Sequence, residues 1–192
     1  SKQQNTDLSQ LHFDWLCEKY ANVEQVFVDA TAAYQSFEDM FRGTKEHNLL
    51  ANANSKSRMR MMILYYLATS NSGIVTGTGN KVEDFGVGFY TKYGDGGVDI
   101  SPLADLTKTQ VREMARSLEI SKEILDAPPT DGLWEDSRTD ESQIGASYEE
   151  LEWAMSYLEN SDDENLTDRQ KEVLEIYLSF NTKNKHKMVE IP

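Results

Sequence analysis

Ile74-Val75-Thr76-Gly77-Thr78-Gly79-Asn80-Lys81-Val82-Glu83 is the stretch whose reading decides the fold. Residues 74–78 form a short β-branched run, read as a buried strand. Gly77 and Gly79 end it in a tight turn. In open α/β sheets, ligands bind beyond the carboxyl ends of the strands. At such a place the Thr78 hydroxyl and free backbone N–H groups suit phosphate oxygens or an adenine edge. Glu83, five residues beyond Thr78, suits Mg²⁺, a hard ion usually shared with substrate phosphates. On its residues alone the stretch is equally a strand-to-helix turn with an exposed Glu.

Eight of the eleven glycines lie between Gly73 and Gly97. That density breaks regular structure and marks a loop whose backbone approaches something closely. Its centre is Phe89-Tyr90-Thr91-Lys92-Tyr93-Gly94-Asp95-Gly96-Gly97-Val98-Asp99. A lysine there can neutralise a phosphate or a departing pyrophosphate, and the glycines let the loop close over a nucleotide. An ordinary surface loop with a solvated lysine has the same composition.

Upstream, residues 7–20 place Leu8, Leu11 and Trp15, and then Phe13, Cys17 and Tyr20, at helical spacing. Residues 24–29 (EQVFVD) read as a buried strand and 31–41 as a weaker helix. Gly43-Thr44-Lys45 breaks the pattern before a long helix over 48–69. The half at 61–68, MMILYYLA, is apolar nearly all round, which predicts burial on both sides and a subunit interface. Downstream come Val98-Asp99-Ile100, a capping box at Thr107…Gln110 opening a helix to about Leu118, and Pro128-Pro129. Two further boxes, Ser147…Glu150 and Thr167…Gln170, begin helices. The alternation predicts an α/β fold with a parallel sheet flanked by helices, of which only two or three strands are visible.

A chain of 192 residues suits one compact domain. Residues 119–175 hold 18 acidic and 4 basic side chains, and the remainder is neutral. This argues against broad nucleic-acid binding, which needs a surplus of cations on one face. No run is long enough to cross a membrane, and the polar opening residues do not resemble a secretory signal. The single cysteine, Cys17, excludes an internal disulfide and fits a reducing, cytoplasmic setting. Its helix face with Phe13 and Tyr20 reads as small core packing.

The run GTGNKVEDFGVGFYTKYGDGGVDISPLADLTK, with Asn54-Ser55-Lys56-Ser57-Arg58 before it and His186-Lys187 after it, resembles the NAD synthetase family of ATP pyrophosphatases. The resemblance implies a Rossmann-like adenine-nucleotide α-hydrolase fold and ATP-dependent amidation of deamido-NAD by ammonia. It implies deamido-NAD contacts at Arg58, Lys92, Asp99, His186 and Lys187, and ATP contacts at Thr78, Lys108 and Thr130. Glu83 is the implied Mg²⁺ ligand. Lys92 and Asp95 are the implied catalytic pair, with Asp95 near the ammonia site. Lys108, at the start of its capped helix, combines a mobile cation with free amide donors, a natural triphosphate site. Arg58 and Asn54 share a helical face and point toward one ligand. A homodimer is expected. There is no room for an amidohydrolase domain with its own nucleophilic cysteine, so free ammonia is the expected nitrogen donor.

The family's Ser-Gly-Gly-x-Asp-Ser loop, which cradles phosphates and supplies a second magnesium carboxylate, does not occur in these residues. The expectation is therefore a single, N-terminally truncated domain over 1–192, inactive by itself, with an acidic helical C-terminal part at about 119–180. Two rivals stay open: another amidating ATP pyrophosphatase with a different acceptor, and a non-catalytic dimerisation module.

Overall fold

The computed structural model of the chain describes residues 6–134, 138–160 and 165–189. Within them run α1 (Thr6–Lys19), α2 (Thr31–Asp39), α3 (Leu49–Ser70), a π-helical segment (Val82–Val87) and α4 (Lys108–Ser117). Then come α5 (Lys122–Leu125), α6 (Asp140–Ile144), α7 (Tyr148–Asn160) and α8 (Asp168–Met188).

Local chemistry explains most of the helix starts. Asn48 caps α3 by accepting from the Ala51 amide at 2.9 Å. Thr107 and Gln110 close a reciprocal box at α4, and Thr167 and Gln170 do the same at α8. At α7 the Ser147 amide donates to Glu150 Oε2 at 2.9 Å while the Glu150 amide donates back to Ser147 Oγ at 3.2 Å. The three boxes read from the sequence all form.

The core lies in the acidic half. Val82 and Val87 of the π-helical segment pack with Ile144, Ala146, Leu151, Ala154, Val173 and Tyr177. Carboxylates occupy the solvent faces of α7 and α8, and the inward positions are apolar. Two asparagines of α8 fasten the segment to this core: Asn181 donates to Gly86 O and Asn184 to Val87 O, each at 2.8 Å. The segment then stops at Gly88, whose φ of 59° favours glycine.

The expected strands are only partly realised. Residues 24–29 carry no regular secondary structure and no described segment pairs with them, and Val26, Phe27 and Val28 are exposed, Phe27 by 81%. A strand is buried only where neighbours cover both its hydrogen-bonding edges and its faces, and none does so here. Residues 74–78 form a single parallel bridge, Thr76 to Ile100, with Gly77 N donating to Ile100 O at 2.7 Å. The pairing direction is the expected one, but among the described residues it is one rung and not a sheet.

One other expectation needs correction, and a second is met within one chain only in part. Cys17 is exposed, as is Tyr20, while Leu11, His12 and Trp15 of α1 line a cleft with Ser121 and Ile124. Its Phe13–Cys17–Tyr20 face covers no core. Helix α3 buries Met61 but leaves Met62, Leu64 and Tyr66 exposed, Tyr66 by 73%. Within one chain its apolar half is thus buried on one side only. No helix among the described residues is long and apolar enough to cross a membrane.

Candidate functional site

Asn80 sets the first half of the site. It is almost fully buried, and its Oδ1 accepts from the amides of Val82 and Glu83, both at 3.1 Å, so the turn after Gly79 leads directly into the π-helical segment. That segment carries Glu83 inward, with its side chain 15% exposed. Glu83 Oε1 accepts from Lys108 Nζ at 3.1 Å and from the Tyr148 hydroxyl. Lys108 Nζ also sits 4.8 Å from the centre of the Tyr148 ring, a cation–π contact. The Tyr148 hydroxyl lies 3.4 Å from Asp140 Oδ2, and Asp140 Oδ1 is buried without a partner among the described residues.

Burial pushes the Asp140 carboxyl up to about 6, with Glu83 and Asp131 adding to it and Lys108 opposing. Burial likewise raises the Tyr148 phenol, reinforced by Glu83, so it remains a donor at any ordinary pH. Asp84, against Gly79, is raised to about 6 by burial, then by Glu83 and Asp95. No group of three or more potential metal-ligating side chains occurs among the described residues. Both hydrogen bonds to the Glu83 carboxylate fall on Oε1, and Oε2 has no hydrogen-bond partner among the described residues. That suits Mg²⁺ bound by one protein carboxylate and completed by substrate phosphates.

The second half of the site is the glycine-rich loop, clamped between α3 and α8. Asp95 Oδ1 accepts from Ser57 Oγ at 2.6 Å and from the Thr91 amide at 3.1 Å, while the Asp95 amide donates to Ser57 Oγ at 3.0 Å. Thr91 Oγ1 donates to Asn54 Oδ1 at 2.8 Å. Arg58 Nε donates to Lys92 O at 3.1 Å, and Lys92 Nζ donates to His186 O at 2.7 Å. Asn54 and Arg58 therefore face one loop, as their helical spacing predicts. A Cβ on Gly94 would collide with Ser57 Oγ, which is why the loop needs glycine there. Tyr93 holds φ at 66°, a sparsely populated conformation fixed by these clamps.

A third group anchors the segment after the two prolines. Arg60 donates to the carbonyls of Asp131 and Gly132, each at 3.2 Å, and Lys56 donates to Leu133 O at 3.3 Å. Burial lowers the Arg60 guanidinium from its usual value, and Asp131 opposes the shift. Thr130 Oγ1 donates to Arg138 O at 3.1 Å and accepts from the Gly132 amide at 3.3 Å.

The structure thus joins Glu83 to Lys108, and it joins Arg58, Lys92 and His186 in one chain of hydrogen bonds. Asp95 sits in the same loop. Other expected residues make different contacts. The Thr78 side chain is exposed. Asp99 accepts from the Tyr65 hydroxyl at 3.0 Å and the Val75 amide at 2.7 Å, tying α3 to the parallel bridge. Lys187 Nζ is held by the carbonyls of Gly88 and Tyr90 at 2.8 and 2.7 Å. The α4 N-terminus offers fewer free amides than expected, because Thr109 N donates to Glu152 Oε1 and Gln110 N to Thr107 Oγ1. Sequence reading missed Tyr148 and Asp140. Tyr148 directly follows a legible capping residue, but nothing local announces that its hydroxyl reaches 65 residues back along the chain to Glu83. Asp140 follows Thr139, whose box closes on Ser142 instead of the usual Glu or Gln.

A sequence model of the NAD synthase family matches residues 2–190. The NH(3)-dependent NAD(+) synthetase of Mesoplasma florum is 39% identical over 163 residues, covering 81% of this chain and 64% of that protein. The enzyme of the same name from Methanococcoides burtonii is 50% identical over 101 residues, 53% of this chain and 38% of that protein. The chain thus spans between 38% and 64% of the length of the curated relatives it matches. Among solved structures, NMN synthetase from Francisella tularensis superposes with a TM-score of 0.78 at 29% identity, covering 96% of this chain and 72% of that one. NH3-dependent NAD synthetase from Campylobacter jejuni, in complex with nitrate, gives 0.63 at 23% identity over 93% and 69% of the respective chains. The chain shares its fold with both.

Proposed function

Since the chain belongs to the NAD synthase family, we propose that its natural protein amidates deamido-NAD to NAD with ATP and ammonia, and that these residues supply much of the site. The observation that carries this reading is the pairing of Glu83 with Lys108 on one side and the Arg58–Lys92–His186 chain on the other. These are an anion-binding carboxylate–lysine couple and a cation-lined loop, built from the residues that the resemblance assigns to ATP and to the dinucleotide.

In the proposed reaction, a carboxylate oxygen of deamido-NAD attacks the α-phosphorus of ATP. The bond from that phosphorus to the bridging oxygen breaks, and pyrophosphate leaves with the electron pair. The ammonia nitrogen then attacks the acyl carbon of the adenylate. The acyl–oxygen bond breaks, AMP departs, and nitrogen loses a proton. Glu83 would hold Mg²⁺, which when bound would neutralise charge on the triphosphate. Lys108 and Lys92 add cationic stabilisation where negative charge develops. Arg58, Asp99, His186 and Lys187 contact the dinucleotide, Thr78 and Thr130 contact ATP, and Asp95 borders the approach of ammonia. Positioning supplies the rest.

The finer architecture belongs to the same proposal: a single domain over 1–192 with the acidic helices at its C-terminal end, and a parallel sheet to which residues 24–29 and 74–78 contribute. The exposed apolar face of α3, carrying Met62 and Tyr66, supports a homodimer. The single cysteine supports a cytoplasmic setting.

The test is an assay of the full-length natural protein for NAD and AMP formed from deamido-NAD, ATP and ammonia. The superposition on an NMN synthetase favours one second reading, in which the acceptor is the mononucleotide acid whose amide is NMN. Running both acceptors side by side decides between them. AMP release with neither would leave the non-catalytic module.

A further inference from the structure

We propose that Tyr148 is the positioning residue for Glu83, fixing which carboxylate oxygen faces the nucleotide. The inference rests on the reading of Glu83 as the Mg²⁺ ligand. A glutamate side chain rotates about three bonds, and its two oxygens are equivalent until something distinguishes them. Here the distinction is made at Oε1, which accepts from both the Tyr148 hydroxyl and Lys108 Nζ.

The two donors are unequal in kind. Lys108 is a flexible ammonium on the first residue of α4, partly exposed, and its expected partner in the working enzyme is a phosphate. Once drawn there, it no longer orients Glu83. Tyr148 cannot leave. Its ring is fully buried in the core, and it is the first residue of α7. Its own amide donates to Glu141 Oε1 at 3.0 Å, and the Ser147–Glu150 box closes the same turn. A phenol has one proton to give; the hydroxyl donates it to Glu83 Oε1, and Asp140 Oδ2 lies 3.4 Å away. The proton is thereby committed to Glu83. This leaves Oε2 without a hydrogen-bond partner among the described residues and keeps Oε1 held wherever Lys108 goes. Partners that orient a metal-binding carboxylate typically alter metal affinity when removed.

The test uses the full-length natural protein with Tyr148→Phe, Asp140→Asn, Glu83→Gln and the Tyr148→Phe/Glu83→Gln pair. Magnesium half-saturation is read both from the thermal shift that ATP induces and from pyrophosphate release, alongside the KM for deamido-NAD and the ligand-free melting temperature. Tyr148→Phe keeps the ring and its packing. The expected result is a rise of about tenfold in the magnesium requirement, with the KM for deamido-NAD within about twofold of wild type. Adding Tyr148→Phe to Glu83→Gln should change nothing further, and Asp140→Asn should keep the wild-type requirement. A Tyr148→Phe protein that melts earlier but responds to magnesium like wild type overturns the positioning role alone. Equal shifts from Tyr148→Phe and Asp140→Asn also overturn it, since they would mean general loosening. A wild-type protein with no magnesium-dependent response to ATP overturns the reading of Glu83 as well.

Discussion

Tyr90 and Lys187 hold one another twice. The Tyr90 hydroxyl donates to Lys187 O at 2.6 Å, and the Lys187 ammonium returns a bond to Tyr90 O at 2.7 Å while also reaching Gly88 O. This reciprocal pair closes the end of α8 onto the glycine-rich loop. Burial lowers the Lys187 ammonium from its usual value. Lys187→Ala should therefore cost about 1–3 kcal/mol of stability, because two carbonyls lose charge-assisted donors. Chemical denaturation measures the cost, and titration with deamido-NAD and ATP measures selectivity. A stability loss with both affinities equally reduced would make the residue structural, and selective loss for deamido-NAD would make it a dinucleotide contact.

Glu83 and Lys108 form a partly buried ion pair. Lys108→Met leaves Glu83 charged and poorly solvated, so the single variant should lose about 1–3 kcal/mol. Adding Glu83→Gln should restore most of it. Both proteins should be inactive. Urea titrations of the two singles and the double measure the coupling, and additive losses would mean that the pair is not coupled in solution.

Arg60 and Lys56 together engage three consecutive carbonyls, those of Asp131, Gly132 and Leu133. Replacing Arg60 with Leu should free the segment that carries Thr130. Hydrogen exchange should speed up around Thr130 to Trp134, and the KM for ATP should rise several-fold, with deamido-NAD binding less affected. Exchange unchanged in that segment would show that Lys56 and Thr130 hold it without Arg60.

Acid sensitivity has an assignable source at α7. Two hydrogen bonds of 2.8 Å from Arg169 hold the Glu150 carboxyl below its usual value, assisted by the Ser147 amide and opposed by burial. Because the folded value lies below the unfolded one, this stabilisation is present above the unfolded value of 4.5 and is lost as pH falls through the folded value. The pair is substantially exposed, so the gain is about 0.5–1 kcal/mol. Glu150→Gln should be destabilised near neutrality and should converge on wild type in acid. A gap that persists unchanged into acid would place the effect in packing.

Helix positions were legible because caps and periodicity are local. Asn48, Thr107, Ser147 and Thr167 each fix a helix start within four residues. The glycine-rich loop was legible because Gly94 and its neighbours forbid regular structure. Strands were less so: a β-branched run at 24–29 states a preference, but pairing depends on residues elsewhere in space. The partnership of Glu83 with Tyr148 was invisible because the contact spans 65 positions and replaces no sequence motif. Lys187 is a further case. The resemblance implies a dinucleotide contact there, and no local signal shows that its ammonium is held by two backbone carbonyls.

Lys56, Arg58, Arg60, Lys92 and Lys187 all rest on backbone carbonyls, and among the described residues none of them forms an ion pair with a carboxylate. A carbonyl is a dipole without net charge, so it orients a cation without cancelling it. These cations are therefore left without a direct carboxylate partner within a chain of net charge −14. The acidic helices repel an approaching polyanion at long range, and these cations offset that repulsion locally. Encounter there is guided by the contrast between the two fields, and its rate should depend on ionic strength in a way set by both.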